Sequence, residues 1–170
     1  PDFNVDTACN EHPSVFVDGS TPTDSILWWN WDFGDGNLVS LQDASDINYV
    51  FDNNGTYNVK LIVTDVNGCK DSISKDAEIL IKPEAGYNVD TSEGYFLINQ
   101  VIEFTDNASN DVIDWIYYFG TLGQPESAEG PDTSHFFKYE GTYKVYQVVT
   151  NDDGCTDTIF YEIDIIEKPK

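Results

Sequence analysis

Shifted by 86 residues, the chain falls onto itself: Gly55-Thr56-Tyr57 meets Gly141-Thr142-Tyr143, Phe33-Gly34 meets Phe119-Gly120, and Gly68-Cys69 meets Gly154-Cys155. Lys82-Pro83 meets Lys168-Pro169 at the same offset. Near the amino ends the offset is 84, where Asn4-Val5-Asp6-Thr7 meets Asn88-Val89-Asp90-Thr91. A sequence that repeats once at this period holds two copies of one folding unit. The reading is two modules, 1–83 and 84–170, with an insertion in the early strands and loops of the second copy.

Within the first copy, Trp29-Asn30-Trp31-Asp32-Phe33 alternates aromatic and polar residues and stops in Gly34-Asp35-Gly36. Successive side chains of a strand point to opposite faces, so Trp29, Trp31 and Phe33 share one face and need a second layer to cover them. Further strands are expected at Phe3 to Asp6, Val15 to Asp18, Leu38 to Leu41, Ile47 to Phe51, Tyr57 to Thr64 and Ser72 to Ile81. Turn-forming clusters such as Asp18-Gly19-Ser20, Asn53-Asn54-Gly55 and Asn67-Gly68 separate them. Short, regularly punctuated strands of this kind make an all-β chain, two tandem β-sandwiches. One position conflicts with the pattern. Gln147 stands where the first copy has Leu61, and a buried amide must find backbone partners or be turned out by a bulge.

The charge balance restricts partners. Asp and Glu number 31 against 8 basic residues, all of them Lys, for a formal net charge of -23. That excess disfavours nucleic acid and anionic lipid, which require basic patches. No apolar run reaches the ~18 residues of a membrane helix, so no membrane insertion is expected. The chain begins at Pro1 and lacks Met, which reads as a piece of a longer polypeptide. Three cysteines, Cys9, Cys69 and Cys155, are too few for a disulfide-dense scaffold and have no zinc spacing.

Trp31-Asp32-Phe33-Gly34-Asp35-Gly36 matches the WDFGDG motif of the PKD domains, and Phe51 followed by Gly55-Thr56-Tyr57-Asn58-Val59-Lys60-Leu61-Ile62-Val63-Thr64-Asp65 matches that family's Gly-Thr-Tyr strand. Tyr49 stands at the family's usual His. In the second copy His135 and Phe137 restore that His and aromatic, but Tyr117 replaces Trp31 and Thr121-Leu122-Gly123 replaces the Asp-rich turn. The chain therefore resembles two tandem PKD domains, which implies immunoglobulin-like folds. The Asn67-Gly68-Cys69 and Asp153-Gly154-Cys155 endings resemble PKD arrays of large exported proteins of Bacteroidetes, implying cell-surface, adhesion, gliding or type IX secretion contexts. In sandwiches of this family Cys9 and Cys69 can lie side by side. The resemblance thus implies a Cys9–Cys69 disulfide with Cys155 unpaired, the alternative being two reduced, buried thiols. The position matching Cys9 in the second copy is read as Glu93.

Catalytic chemistry finds little to work with. The two histidines are His12, in the polar turn Asn10-Glu11-His12-Pro13, and His135, at the family's structural position. No pair among the carboxylates is singled out, so the chain reads as not an enzyme and needs no cofactor. Calcium is the one cation that Asp and Asn loops could hold, with Asp32, Asp35, Asp65 and Asn67 as weak candidates, and no loop has EF-hand spacing. The same residues serve equally as turn formers on an acidic surface. The alternation leaves Trp28 outside the first core and Asp114, Ile116 and Tyr118 outside the second. Trp28, Ile116 and Tyr118 are either covered by neighbouring groups or form a contact surface for a protein or glycan. The function expected is that of non-catalytic spacer and interaction modules in a large exported or cell-surface protein. The alternative is accessory substrate-binding modules of a secreted protease or polysaccharide hydrolase. Neighbouring modules of the same chain are expected partners in either case.

Overall fold

The computed structural model describes residues 1–90, 94–120 and 126–167. They fall into two compact units, Pro1–Ile81 and Lys82–Lys170. The turn Thr121-Leu122-Gly123 and Glu93 lie outside the described residues.

The first unit contains β1 (Phe3–Val5), β2 (Ala8–Cys9), β3 (Pro13–Asp18), β4 (Ile26–Asp32), β5 (Leu38–Leu41), β6 (Ile47–Val50), β7 (Gly55–Asp65) and β8 (Lys70–Leu80). They form a three-stranded sheet, β1-β3-β6, and a five-stranded sheet, β2-β8-β7-β4-β5. Between these layers Trp29, Trp31, Phe33, Val59, Leu61 and Val63 from the larger sheet meet Phe3, Phe16 and Phe51. Phe3 and Phe16 stand edge-on to Trp31, and Phe16 edge-on to Phe33, an arrangement that aligns positive ring edges with negative faces.

The second unit repeats this with β9 (Tyr87–Val89), β10 (Phe96–Leu97), β11 (Ile102–Asp106), β12 (Val112–Phe119), β13 (Ser127–Glu129), β14 (Thr133–His135), β15 (Gly141–Asn151) and β16 (Thr156–Ile166). Its sheets, β14-β11-β9 and β10-β16-β15-β12-β13, have the same order strand for strand. Both units are thus β-sandwiches, and among the described residues the one helical element beside the strands is a short 3-10 turn at Thr23–Ser25.

Strands β2 and β10 were not anticipated. After β1 the chain crosses to the other sheet, where Ala8 and Cys9 pair in parallel with Ile79 and Leu80; Phe96 and Leu97 pair likewise with Ile165 and Ile166. Register also locates the repeat's irregularities. Phe3 to Tyr87 is an offset of 84, Asp18 to Asp106 is 88, and Leu61 to Gln147 is 86. The second unit therefore gains four residues between Val89 and Phe96 and loses two between β11 and β12. Cys9 corresponds to Leu97 rather than to Glu93.

The Cys9–Cys69 pairing is corrected by the same register. Cys9 sits beside Leu80, at one end of β8, whereas Cys69 precedes Lys70 at the other. Ten strand steps at ~3.3 Å separate those ends by on the order of 30 Å, and a disulfide requires Cα atoms within about 7 Å. Cys69 is a free, exposed thiol, and Cys9 and Cys155 are disulfide-bonded.

Candidate functional site

The solvent faces of the five-stranded sheets carry outward apolar side chains on their central strands. On β4 a bulge places Ile26 opposite Asp65 but Trp28 opposite Thr64, so that Leu27 is the extra residue. Leu27 and Trp28 consequently both face outward, 47% and 39% exposed, while Trp29 and Trp31 enter the core. The bulge recurs on β12, where Ile113 is the extra residue and is 57% exposed. Ile116 and Tyr118 do face outward, but both are half-buried. Their cover is lateral: Tyr118 pairs with Tyr146, which pairs with Phe160, and Ile116 pairs with Val148, which pairs with Thr158. An aromatic row, Tyr118-Tyr146-Phe160, thus crosses three strands. Tyr146 and Phe160 have centroids 5.3 Å apart with planes tilted by 42°, and the Lys144 ammonium lies 4.6 Å from the Phe160 centroid.

The calcium candidates are not brought together. Asp32 lies opposite Lys60 and Asp65 opposite Ile26, at the two ends of the β4–β7 pair. Each carboxylate serves its own turn. Asp32 accepts the Gly34 N–H at 3.0 Å, and Asp65 accepts the amides of Asn67 and Cys69, both at 2.8 Å. The Cys69 amide, joined by those of Asn67 and Gly68, holds the Asp65 carboxyl below its ordinary value despite partial desolvation. Asp35 accepts the Asn37 amide at 2.9 Å and the Tyr49 hydroxyl. Burial acts to raise its pKa, but these hydrogen bonds outweigh that and lower it. Burial and the same carboxylate push the Tyr49 phenol up to about 12. Among the described residues no cluster of three His, Cys, Asp or Glu side chains is arranged to hold a metal.

The histidine position is a stacking position in both units. Tyr49 lies flat on Phe33, with centroids 3.7 Å apart and planes 5° apart. His135 lies on Phe119 at 4.1 Å and 6°. Burial lowers the His135 pKa, with Glu126 acting weakly against it, so the ring favours its neutral form. That geometry suits packing rather than proton transfer.

Repeated strand order and a stacked ring at the end of the central strand describe one module type. The PKD domain family matches residues 1–81 and again residues 86–160. The chain belongs to the PKD family, as a tandem pair. It is similar to human polycystin-1, with 28% identity over 119 residues, covering 68% of this chain and 3% of that protein. Among solved structures it is similar to the fibronectin(III)-like modules of Clostridium thermocellum CbhA, at 16% identity, TM-score 0.42, and coverage of 98% of this chain and 94% of that one. A structure of carbohydrate-binding modules from the β-sandwich superfamily gives 16% identity, TM-score 0.45, and coverage of 99% and 92%.

The two PKD domains differ at a buried cross-strand pair. In the first, Trp31 pairs with Leu61; in the second, Tyr117 pairs with Gln147. Gln147 is fully buried and fully engaged. Its Nε2 donates to Asp106 and to the Tyr117 hydroxyl, both at 2.9 Å, and its Oε1 accepts the Gly86 N–H at 2.8 Å. The smaller Tyr117 thus brings a hydroxyl where the amide needs one, and the amide itself is neither turned out by a bulge nor left unpaired. Asp106 is the register counterpart of Asp18, which accepts the Trp29 indole N–H at 2.9 Å. Among the described residues the equivalent indole N–H of Trp115 is buried without a hydrogen-bond partner. Sequence reading missed Asp18, Asp106, Tyr146 and Phe160. Extending the β7/β15 alternation to the outer face, and across to β16, would have found the last two.

Proposed function

We propose that this PKD pair is a non-catalytic interaction and spacing segment of a large exported or cell-surface protein. The observation that carries this reading is how the reactive groups are used. Asp32, Asp35 and Asp65 hold turns, His135 stacks in a core, and Asp106 anchors a buried amide. The exposed outer sheet of the second module instead presents aromatic and aliphatic side chains. The disulfide-bonded Cys9 and Cys155 suit an oxidising compartment, and the net charge of -23 suits a soluble surface segment. The aromatic row also favours a second reading, in which the pair holds polymeric substrate for a hydrolase elsewhere in the protein.

The test is replacement of residues 1–170 in the full-length protein by an unrelated sandwich pair of matched length. Export should survive and attachment to the natural surface or substrate should be lost. Full attachment by the chimera would leave spacing as the only role. Hydrolysis of protein or polysaccharide by the purified 170-residue chain would overturn the non-catalytic reading.

A further inference from the structure

Two copies of one fold have been given different outer faces. At the positions of Tyr118, Tyr146 and Phe160 the first module has Asp32, Lys60 and Ser74, and at Ile116 it has Asn30. At Val148 both copies are apolar, with Ile62 in the first, but at the other four positions the first module folds with polar groups, so the sandwich does not require apolar ones there. In the second module five adjacent side chains, Ile116, Tyr118, Tyr146, Val148 and Phe160, make a continuous apolar stripe. The three strands that carry it, β12, β15 and β16, span about 10 Å of sheet, two steps of ~4.8 Å.

The rim of that stripe is acidic. Asp114 precedes Ile116 on the same face of β12, Glu129 lies directly opposite Ile116, and Glu162 and Asp164 continue the outward face of β16 beyond Phe160. All four are exposed. Lys144 lies on this face, and its placement shows what the surface accepts. Its ammonium sits over the Phe160 ring at 4.6 Å and 3.7 Å from a Glu162 oxygen, an aromatic face and a carboxylate shared by one charge.

We infer that this face docks a Lys/Arg-rich segment of a partner protein. Cationic side chains would lie over Tyr118, Tyr146 and the open side of Phe160, with their heads toward Asp114, Glu129 and Asp164 and their methylene stems on Ile116 and Val148. A second copy of the chain fits poorly, because two surfaces of net charge -23 repel. An extended glycan on a flat platform also fits less well, since the Tyr146 and Phe160 rings are tilted 42° from each other. The inference rests on the reading of the pair as interaction modules and names the partner's chemistry.

The experiment is an amide NMR titration of the 170-residue chain with three probes: a capped Lys-Gly repeat peptide, its Glu-Gly counterpart, and cellohexaose. The Lys-Gly peptide should shift resonances of β12, β15 and β16, and the Glu-Gly peptide should not. Substituting Tyr118→Ser, Tyr146→Ser and Phe160→Ser together leaves the net charge unchanged and should weaken the Lys-Gly peptide by about tenfold. Asp114→Asn with Glu129→Gln, both exposed, should weaken it as well. Shifts spread over both modules, or equal affinity in the charge-preserving triple variant, would reduce the effect to bulk attraction and overturn the inference. Shifts on this face with cellohexaose and none with the Lys-Gly peptide would overturn it in favour of a glycan. The map on the unaltered chain decides even if the triple variant fails to fold. A silent titration removes the cationic partner only, whereas hydrolysis by the purified chain removes the interaction reading itself.

Discussion

Gln147 and Leu61 show how one position can be apolar in one module and polar in its repeat. The amide is tolerable because Tyr117, Asp106 and Gly86 N–H arrive with it. Gln147→Leu should therefore destabilise the second module by about 1–3 kcal/mol, the cost of orphaned buried polar groups, as read from urea unfolding; an unchanged midpoint would show the network to be dispensable. His135 gives a pH dependence. Its pKa lies below the ordinary 6.5 because burial disfavours the charged ring. Between the two values the unfolded chain binds more protons, so stability is full above about 6.5 and declines as pH falls toward the folded value. Thermal melts from neutral to mildly acidic pH should show the second module losing stability, and His135→Phe, which keeps the stack, should remove that slope. At this scale the sequence showed that Gln147 was a conflict but not its resolution. The resolving partners, Asp106 and Gly86, belong to segments distant in sequence whose register only the fold supplies.

The strands were legible because alternation of large apolar and polar groups is a local property: Trp29, Trp31 and Phe33, or Tyr57, Val59, Leu61 and Val63, declare their inner face without reference to anything else. Strands β2 and β10, two residues each, have no period to read, and their parallel pairing is a property of the whole sandwich. The bulges at Leu27 and Ile113 escaped for a related reason, since an extra residue breaks the alternation that would announce it. The Cys9–Cys69 pairing failed because it took two strand ends to be neighbours without knowing that β2 runs parallel to β8. Turns were the most legible elements. Gly34 has φ +77°, and a Cβ there would come within 2.9 Å of the Asn58 carbonyl oxygen. Gly34→Ala should accordingly cost the first module about 1–3 kcal/mol, from backbone strain plus the forced shift of β7. Calorimetry should show the first module's transition lowered and the second's unmoved; an unaffected first transition would mean the turn relaxes freely.

For the molecule as a whole, the repeat conserves strand order and ring stacking in each module while the outer faces diverge. An acidic chain with 31 Asp and Glu against 8 Lys, built from PKD domains, carries an apolar stripe on the outer sheet of the second module. The candidate site was half legible in the sequence: Ile116 and Tyr118 were visible as outward residues of the central strand, whereas Tyr146 and Phe160 join them only through cross-strand register. Trp28 was legible as an outward residue too, and its neighbours are the polar Thr64 and Asn30 and the bulged, exposed Leu27. The most direct test of this account is hydroxyl-radical footprinting of aromatic side chains, comparing the isolated 170-residue chain with the same segment in the full-length protein engaged on its natural surface. Tyr146 and Phe160 should be oxidised readily in the isolated chain and protected on engagement, with the core residues Trp31 and Tyr117 slow in both. Equal labelling of Tyr146 and Phe160 in the two states would contradict the claim that this face carries the interaction.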